Sequence, residues 1–328
     1  MQARVWSLLA GLNRHLVLAI PVMMVAGFCF GLWFEAVFLK DLIVPFTFLM
    51  VYPMMVTLKI RKVLEGGDGR AQLIAQAINF MLIPFVAFGL GRLFFPHSPF
   101  LALGLLLAAL VPTSGMTISW TGFAGGNLAA AVKMTVVGLI LGSLATPVYV
   151  QFLIGAQVDI DLAAVFRQIG LIVFLPMAAG FVTQQALIKR SGEKAFQQHW
   201  APRFPAFSTI GVLGIVFIAL ALKARSIAAA PEQLLNILLP LALLYLLNYV
   251  VSTLVGRLLL PRGDAIALVY GTVMRNLSIA LAVAINGFGP AGSDAALVIA
   301  LAYIIQVKSA AWYVKLTDRL FGPLPVRT

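Results

Sequence analysis

Four basic residues, Lys133, Arg167, Arg275 and Lys308, lie inside long apolar stretches of this 328-residue chain, and no acid accompanies them. All eleven Asp and Glu residues fall at the ends of those stretches or in the polar links between them. A cation held in hydrocarbon is costly and by default marks a solute path or site. Arg275 is the deepest, at roughly 18 Å past Gly263 by helical rise. Arginine stays charged in a protein, so it needs an anion, carbonyls or water. Its two readings are anion recognition and the capping of carbonyls at a helix break. Lys133, five residues past Leu128, can snorkel to the interface or face the site. Lys308 and Arg167 read as structural.

Two polar interruptions surround this charge. Val111-Pro112-Thr113-Ser114-Gly115 sits mid-stretch, where proline removes a backbone donor and glycine loosens a helix. Met274-Arg275-Asn276-Leu277-Ser278 is the second, sitting at the middle of another stretch in the later half of the chain. A helix broken at membrane depth exposes backbone polar groups, which must be buried in protein or line a cavity. Thr113, Ser114, Thr117, Asn276 and Ser278 are therefore candidate substrate ligands beside Arg275. Half-helix N-termini would add partial positive charge.

The elements that must position them are apolar helices. The chain is 62% hydrophobic and 10% charged, with a mean hydropathy of +1.02. Soluble domains run near 45–50% apolar and about 25% charged, so the class is an all-α polytopic membrane protein. Ten segments are long enough to span: 15–35, 42–60, 71–95, 99–121, 128–153, 160–187, 204–223, 231–256, 264–287 and 291–314. No link between them holds a soluble domain. Fifteen of the 23 Lys and Arg residues fall at one set of span ends and four at the other. That asymmetry predicts a plasma-membrane protein with both termini cytoplasmic. It also accounts for the +12 net charge without nucleic acid as a partner.

The chain also repeats, with the second copy offset by about half its length. PVMMVAGF from Pro21 matches PMAAGF from Pro176, and NFMLIP from Asn79 matches NILLP from Asn236. Gly115 and Asn276 share that offset, so the two polar interruptions stand at equivalent places. Five spans per unit, 15–153 and 160–314, place the second unit upside down, an arrangement common in secondary transporters. The broken helices are then spans four and nine.

Other chemistries lack their residues. Cys29 is the single cysteine and the three histidines are scattered, so neither a disulfide nor a metal site is expected. No phosphate-binding glycine loop with its lysine appears, and no cofactor is implied. No histidine at a span centre could activate Ser114, so the chain is not expected to be an enzyme.

With ten spans, an inverted repeat and breaks in spans four and nine, the chain resembles the bile acid:sodium symporter superfamily, which includes the arsenite efflux permeases. LMVYPMMVTLKI (49–60), NFMLIP (79–84), Met116, Trp120, Gly126-Asn127 and RNLSIALAVAINGFG (275–289) carry the likeness. The resemblance implies a core of spans three to five and eight to ten, and a panel of spans one, two, six and seven rocking against it. Thr113 stands where the arsenite permeases carry a cysteine, and Ser278 where they carry a glutamate. The sodium ligands of the symporter branch are eroded too. Ile118, Ala131, Gly271 and Arg275 replace them, while Thr117, Thr135 and Asn79 keep oxygen-bearing side chains. Lys133, Thr135 and Asn79 are the coupling or cation-replacing candidates, and Lys133 alone could release a proton. The expected function is secondary active transport of a small organic anion or oxyanion without the usual sodium sites. An arsenite or antimonite exporter lacking the usual cysteine, and a passive anion channel, are the alternatives.

Overall fold

The computed structural model describes residues 16–58, 68–111, 113–155, 162–229 and 231–323. Pro112, and the link carrying Arg61 and Lys62, lie outside them. Every regular element among the described residues is helical. The main helices are α1 (Leu16–Trp33), α2 (Ile43–Val56), α3 (Gly69–Ala77), α4 (Ile83–Phe94), α5 (Pro99–Leu110), α6 (Gly115–Phe123), α7 (Leu128–Ile154) and α8 (Leu162–Ile169). They continue with α9 (Leu175–Ser191), α10 (Phe204–Ala229), α11 (Glu232–Leu259), α12 (Arg262–Val273), α13 (Leu277–Gly287), α14 (Gly292–Val314) and α15 (Thr317–Phe321). One π-helical turn, Ile78–Leu82, joins α3 to α4, and another, Gly170–Phe174, joins α8 to α9.

Seven continuous helical stretches are long and apolar enough to cross a membrane: Val37–Val56, Gly69–Phe94, Leu128–Ile154, Val165–Ser191, Glu193–Arg225, Leu234–Leu259 and Gly292–Val314. Large apolar side chains face outward from them, with Phe152 78% and Leu258 80% exposed. Such a surface is stable in hydrocarbon rather than water, so this is an integral membrane protein. The sequence predicts ten segments with the fourth and ninth broken, and those breaks account for two of the three segments missing from the seven. Segment 99–121 is split into α5 and α6, and segment 264–287 into α12 and α13, by the two polar interruptions. Segment 15–35 is represented by the shorter α1.

Without a hydrophobic force between helices in lipid, close packing of small residues holds them together. Gly27 and Gly31 of α1 abut the backbone of α10 at Phe217 and Ala221. Gly211 of α10 abuts Met50, and Gly180 of α9 abuts Met55, both on α2. A second set of contacts joins α5 to α14, α12 to α7 and α11, and α13 to α14. There Gly104 of α5 lies against Ala295 of α14. Between the two sets, α10 meets α14 and α13 meets α2.

Candidate substrate cavity

The two interruptions meet. The Asn276 N–H donates to Val111 O at 2.8 Å, so one break hydrogen-bonds directly to the other. Each break then restarts a helix with its own cap. Ser114 accepts from Met116 N, and Thr117 Oγ1 accepts from Ser114 N at 3.3 Å, which is a capping box for α6. Asn276 Oδ1 accepts from Ile279 N at 3.3 Å and caps α13.

Thr113 is held at φ +62°, a left-handed conformation that costs a threonine of order 1–2 kcal/mol. Its hydroxyl donates to Thr135 O at 3.2 Å, and the Thr135 hydroxyl bonds Ala131 O at 2.8 Å. Gly138 makes room for this arrangement, because a Cβ there would lie 2.6 Å from Thr113 Oγ1.

A cavity of about 350 Å³ lies against both breaks. Of the nine residues singled out from the sequence, six line it: Thr113, Ser114, Thr135, Arg275, Asn276 and Ser278. The other three do not. Thr117 is fully buried behind the wall, where its hydroxyl donates to Tyr270 O at 3.4 Å. Asn79, on the π-helical turn, donates to Gly271 O at 3.1 Å. Lys133 pairs with Asp68 at 3.4 Å, and Asp68 and Asp264 both accept from Asn127 Nδ2. An unpaired charge would be expensive there, and Asp68 at the start of α3 supplies the partner. Lys133 is thus placed at a helix-end junction rather than on the cavity wall.

Arg275 is 2% exposed. Its backbone N–H and C=O are satisfied by Gln306, but Nη1 and Nη2 have no hydrogen-bond partner among the described residues. Among those residues no acidic side chain lines the cavity. Ser278 shares a 2.6 Å hydrogen bond with Tyr303, which also lines the wall. Most of the remaining wall is aliphatic, including Ile20, Leu58, Val132, Val136, Leu139 and Val212. Cys29 is not part of it; its sulfur atoms come from Met54 and Met116.

Three hydroxyl residues, Thr57, Ser208 and Thr209, reach the cavity from the α2 end and α10 and had no signal in the sequence. Isolated Ser and Thr are common in membrane helices and carry no pattern. Gln306 was equally silent, although an uncharged amide inside an apolar run was a possible signal.

The chain is 24% identical over 248 residues to the protein YbaS of Bacillus subtilis, covering 75% of this chain and 78% of that one. It is 20% identical over 259 residues to the arsenical-resistance protein Acr3 of Corynebacterium glutamicum, covering 75% and 70%. A transporter of Synechocystis, slr0944, is 22% identical over 286 residues, covering 79% and 73%. Residues 44–230, more than half of the chain, match the family described as Sodium Bile acid symporter family, and the chain belongs to that family of secondary transporters, which are not enzymes.

Proposed function

We propose that the protein carries a small organic anion across the plasma membrane by alternating access. The observation that carries this reading is Arg275: a buried guanidinium whose terminal nitrogens lack partners among the described residues, at a cavity those residues line without an acid. A buried unpaired charge is tolerated where a ligand completes it. The N-termini of α6 and α13 start at the same wall and favour negative charge. The aliphatic lining and the volume suit an apolar body attached to one anionic end better than a bare oxyanion.

In this reading the chain has ten spans in two inverted units, with both termini cytoplasmic. The packing supports it: α1 with α10 is mirrored by α9 with α2, and α5 with α14 by α12 with α7. These pairs exchange under a two-fold operation relating the units. The panel of spans one, two, six and seven rocks against the core of the other six. The cavity lies between the α2–α10 face and the two breaks, where such rocking would expose it.

Sodium is not needed. At position 271, where related symporters carry an acid, Met134 Sδ would lie 2.5 Å from any Cβ. The place of that side chain is filled, and Arg275 brings fixed positive charge to the same wall.

The test is uptake by proteoliposomes of a branched monocarboxylate such as labelled isobutyrate, at fixed pH and potential. Saturable uptake that concentrates the anion when the membrane potential or a counter-anion gradient is imposed is expected. Equilibration without concentration under every gradient would mean a channel. Failure of any carboxylate to be taken up, with uptake of arsenite instead, would favour an exporter like the Corynebacterium relative, working through the thioethers of Met54 and Met116.

A further inference from the structure

A break in a membrane helix leaves backbone donors and acceptors that lipid cannot satisfy. At Arg275 one side chain satisfies both. Gln306 Oε1 accepts the Arg275 N–H at 2.8 Å, and Gln306 Nε2 donates to the Arg275 C=O at 3.2 Å. The two bonds together fix which end of the carboxamide is oxygen. A third contact fixes it from another helix: the Tyr245 hydroxyl of α11 donates to the same Oε1 at 2.9 Å. Gln306 is 0% exposed and Tyr245 4%.

The neighbours on α14 extend the pattern. Tyr303, nearly one turn before Gln306, bonds the Ser278 hydroxyl, and Val307 lines the cavity. The α14 helix therefore holds both Arg275 and Ser278, while Asn276 is tied to Val111. The residue carrying the cation is gripped by its backbone alone, which leaves its guanidinium uncommitted.

We infer that Gln306 and Tyr245 are positioning residues of the anion site: they lock the backbone of Arg275, so that only its side chain, whose Nη1 and Nη2 are buried and unpartnered among the described residues, has to turn to meet the solute. This rests on the reading of Arg275 as the anion ligand. A site held in advance binds more tightly than one that must order itself on binding. Removing the Tyr245 hydroxyl leaves Gln306 in place but frees its amide to turn, which should weaken binding about fivefold, the equivalent of one hydrogen bond.

The experiment is a titration of purified full-length protein in nanodiscs with sodium isobutyrate at pH 7, read as the rise in Tm, which reports binding to the folded state. Arg275→Gln, Tyr245→Phe, Gln306→Met, Tyr149→Phe and the double variant Arg275→Gln/Tyr245→Phe are compared with the native chain. Tyr149→Phe is the matched control. It also removes one hydroxyl donor to a polar partner, Phe80 O, but away from the cavity. Expected are a fivefold loss for Tyr245→Phe, a loss of tenfold or more for Gln306→Met, and native affinity for Tyr149→Phe. In the Arg275→Gln background, Tyr245→Phe should add nothing further, because its effect runs through that arginine. A merely structural hydroxyl would add its loss in both backgrounds. If the native chain binds and Tyr245→Phe binds equally well, the positioning role is overturned while the anion site stands. If Arg275→Gln binds as tightly as the native chain, or the native chain does not bind, the anion reading falls and the inference with it. Should Gln306→Met fail to fold, Tyr245→Phe and its double variant still decide.

Discussion

The two helix breaks meet at one hydrogen bond yet are built by different chemistry. The first uses strain and hydroxyls: Thr113 sits at φ +62°, tethered by Thr135 and fitted into the space left by Gly138. The second uses no left-handed residue. Met274 and Asn276 have ordinary negative φ, and a buried carboxamide from α14 carries the backbone load. The difference follows from what each break must carry. Neutral hydroxyls can serve as tether and as wall at once, so strain is offset by short local bonds. On the proposed reading, a guanidinium reserved for a solute cannot also anchor its own backbone, and Gln306 does the anchoring. On the proposed inverted-repeat reading, the repeat would preserve where the helices break while dividing the ligand chemistry between its halves.

The largest effect is expected from removing the charge that distinguishes the second break. Arg275→Gln should lower anion affinity roughly 10- to 100-fold, as for loss of hydrogen bonds to a charged group. It should also raise the Tm of the empty protein, because it deletes a buried charge whose Nη1 and Nη2 are unpartnered among the described residues. Arg275→Lys keeps charge, loses the planar fork and should fall between. Thermal melts with and without isobutyrate check both halves. A variant that is less stable and still transports would make Arg275 a cap for helix carbonyls, and the two breaks would then share one structural role.

The positions of both breaks were legible in the sequence, because proline, glycine and consecutive polar residues inside an apolar run have few other uses. So were six of the residues that line the cavity. What was not legible depends on partners far away in the chain. Lys133 reads equally as snorkelling or as facing the site, and the sequence does not show that Asp68, at the start of another helix, stands beside it. Thr117 and Asn79 are polar at the right depth, yet they spend their hydrogen bonds on Tyr270 O and Gly271 O behind the wall. Gln306 reads as an isolated amide until the break of another helix is laid against it. Depth can be counted along a sequence, whereas the direction in which a side chain leaves a helix bundle cannot.

A smaller effect is expected at the first break. Gly138→Ala places a Cβ 2.6 Å from Thr113 Oγ1 and must push Thr113 out of its tether to Thr135. A cost of about 1–3 kcal/mol in stability is expected for such overpacking. The variant tests whether strain at Thr113 is held by fit. Pairing it with Thr113→Gly, which tolerates the positive φ of that position and has no hydroxyl to clash, should recover most of the lost Tm. If Gly138→Ala melts like the native chain, the first break is compliant and the contrast with the clamped second break sharpens.

Lys133 offers a milder perturbation outside both breaks. Lys133→Met leaves the Asp68 carboxylate with Asn127 Nδ2 at 3.0 Å. Because the Lys133 and Asp68 side chains are only 5% and 17% exposed, but Asn127 still supports the carboxylate, the loss should be about 2 kcal/mol. Anion affinity should stay native, since Lys133 lines no part of the cavity. A change in the pH profile of uptake larger than that of Lys308→Met would instead return Lys133 to the transport path.

The smallest expected effect is that of sodium itself. In related symporters a bound sodium brings positive charge between the equivalent helices; here Arg275 is fixed there by its own backbone clamp. The side-chain oxygens that remain near this position are few, and their hydrogens or lone pairs are partly engaged. Thr117 Oγ1 is engaged with Ser114 N and Tyr270 O, and Thr135 Oγ1 with Ala131 O. Asn79 Oδ1 is a buried acceptor without a hydrogen-bond partner among the described residues, but one oxygen is far from the six to eight that hard cations such as calcium collect. The space beside Gly271 is filled by Met134. Replacing sodium with choline at constant potential should therefore change the initial uptake rate less than twofold. A saturable sodium requirement would overturn this. It would mean that Asn79 Oδ1 nucleates a cation site with backbone carbonyls of the second break, and that the two breaks divide coupling as well as substrate chemistry. Gly271→Ala separates the cases: crowding Met134 should disturb a sodium-dependent rate steeply, and a sodium-independent one only through stability.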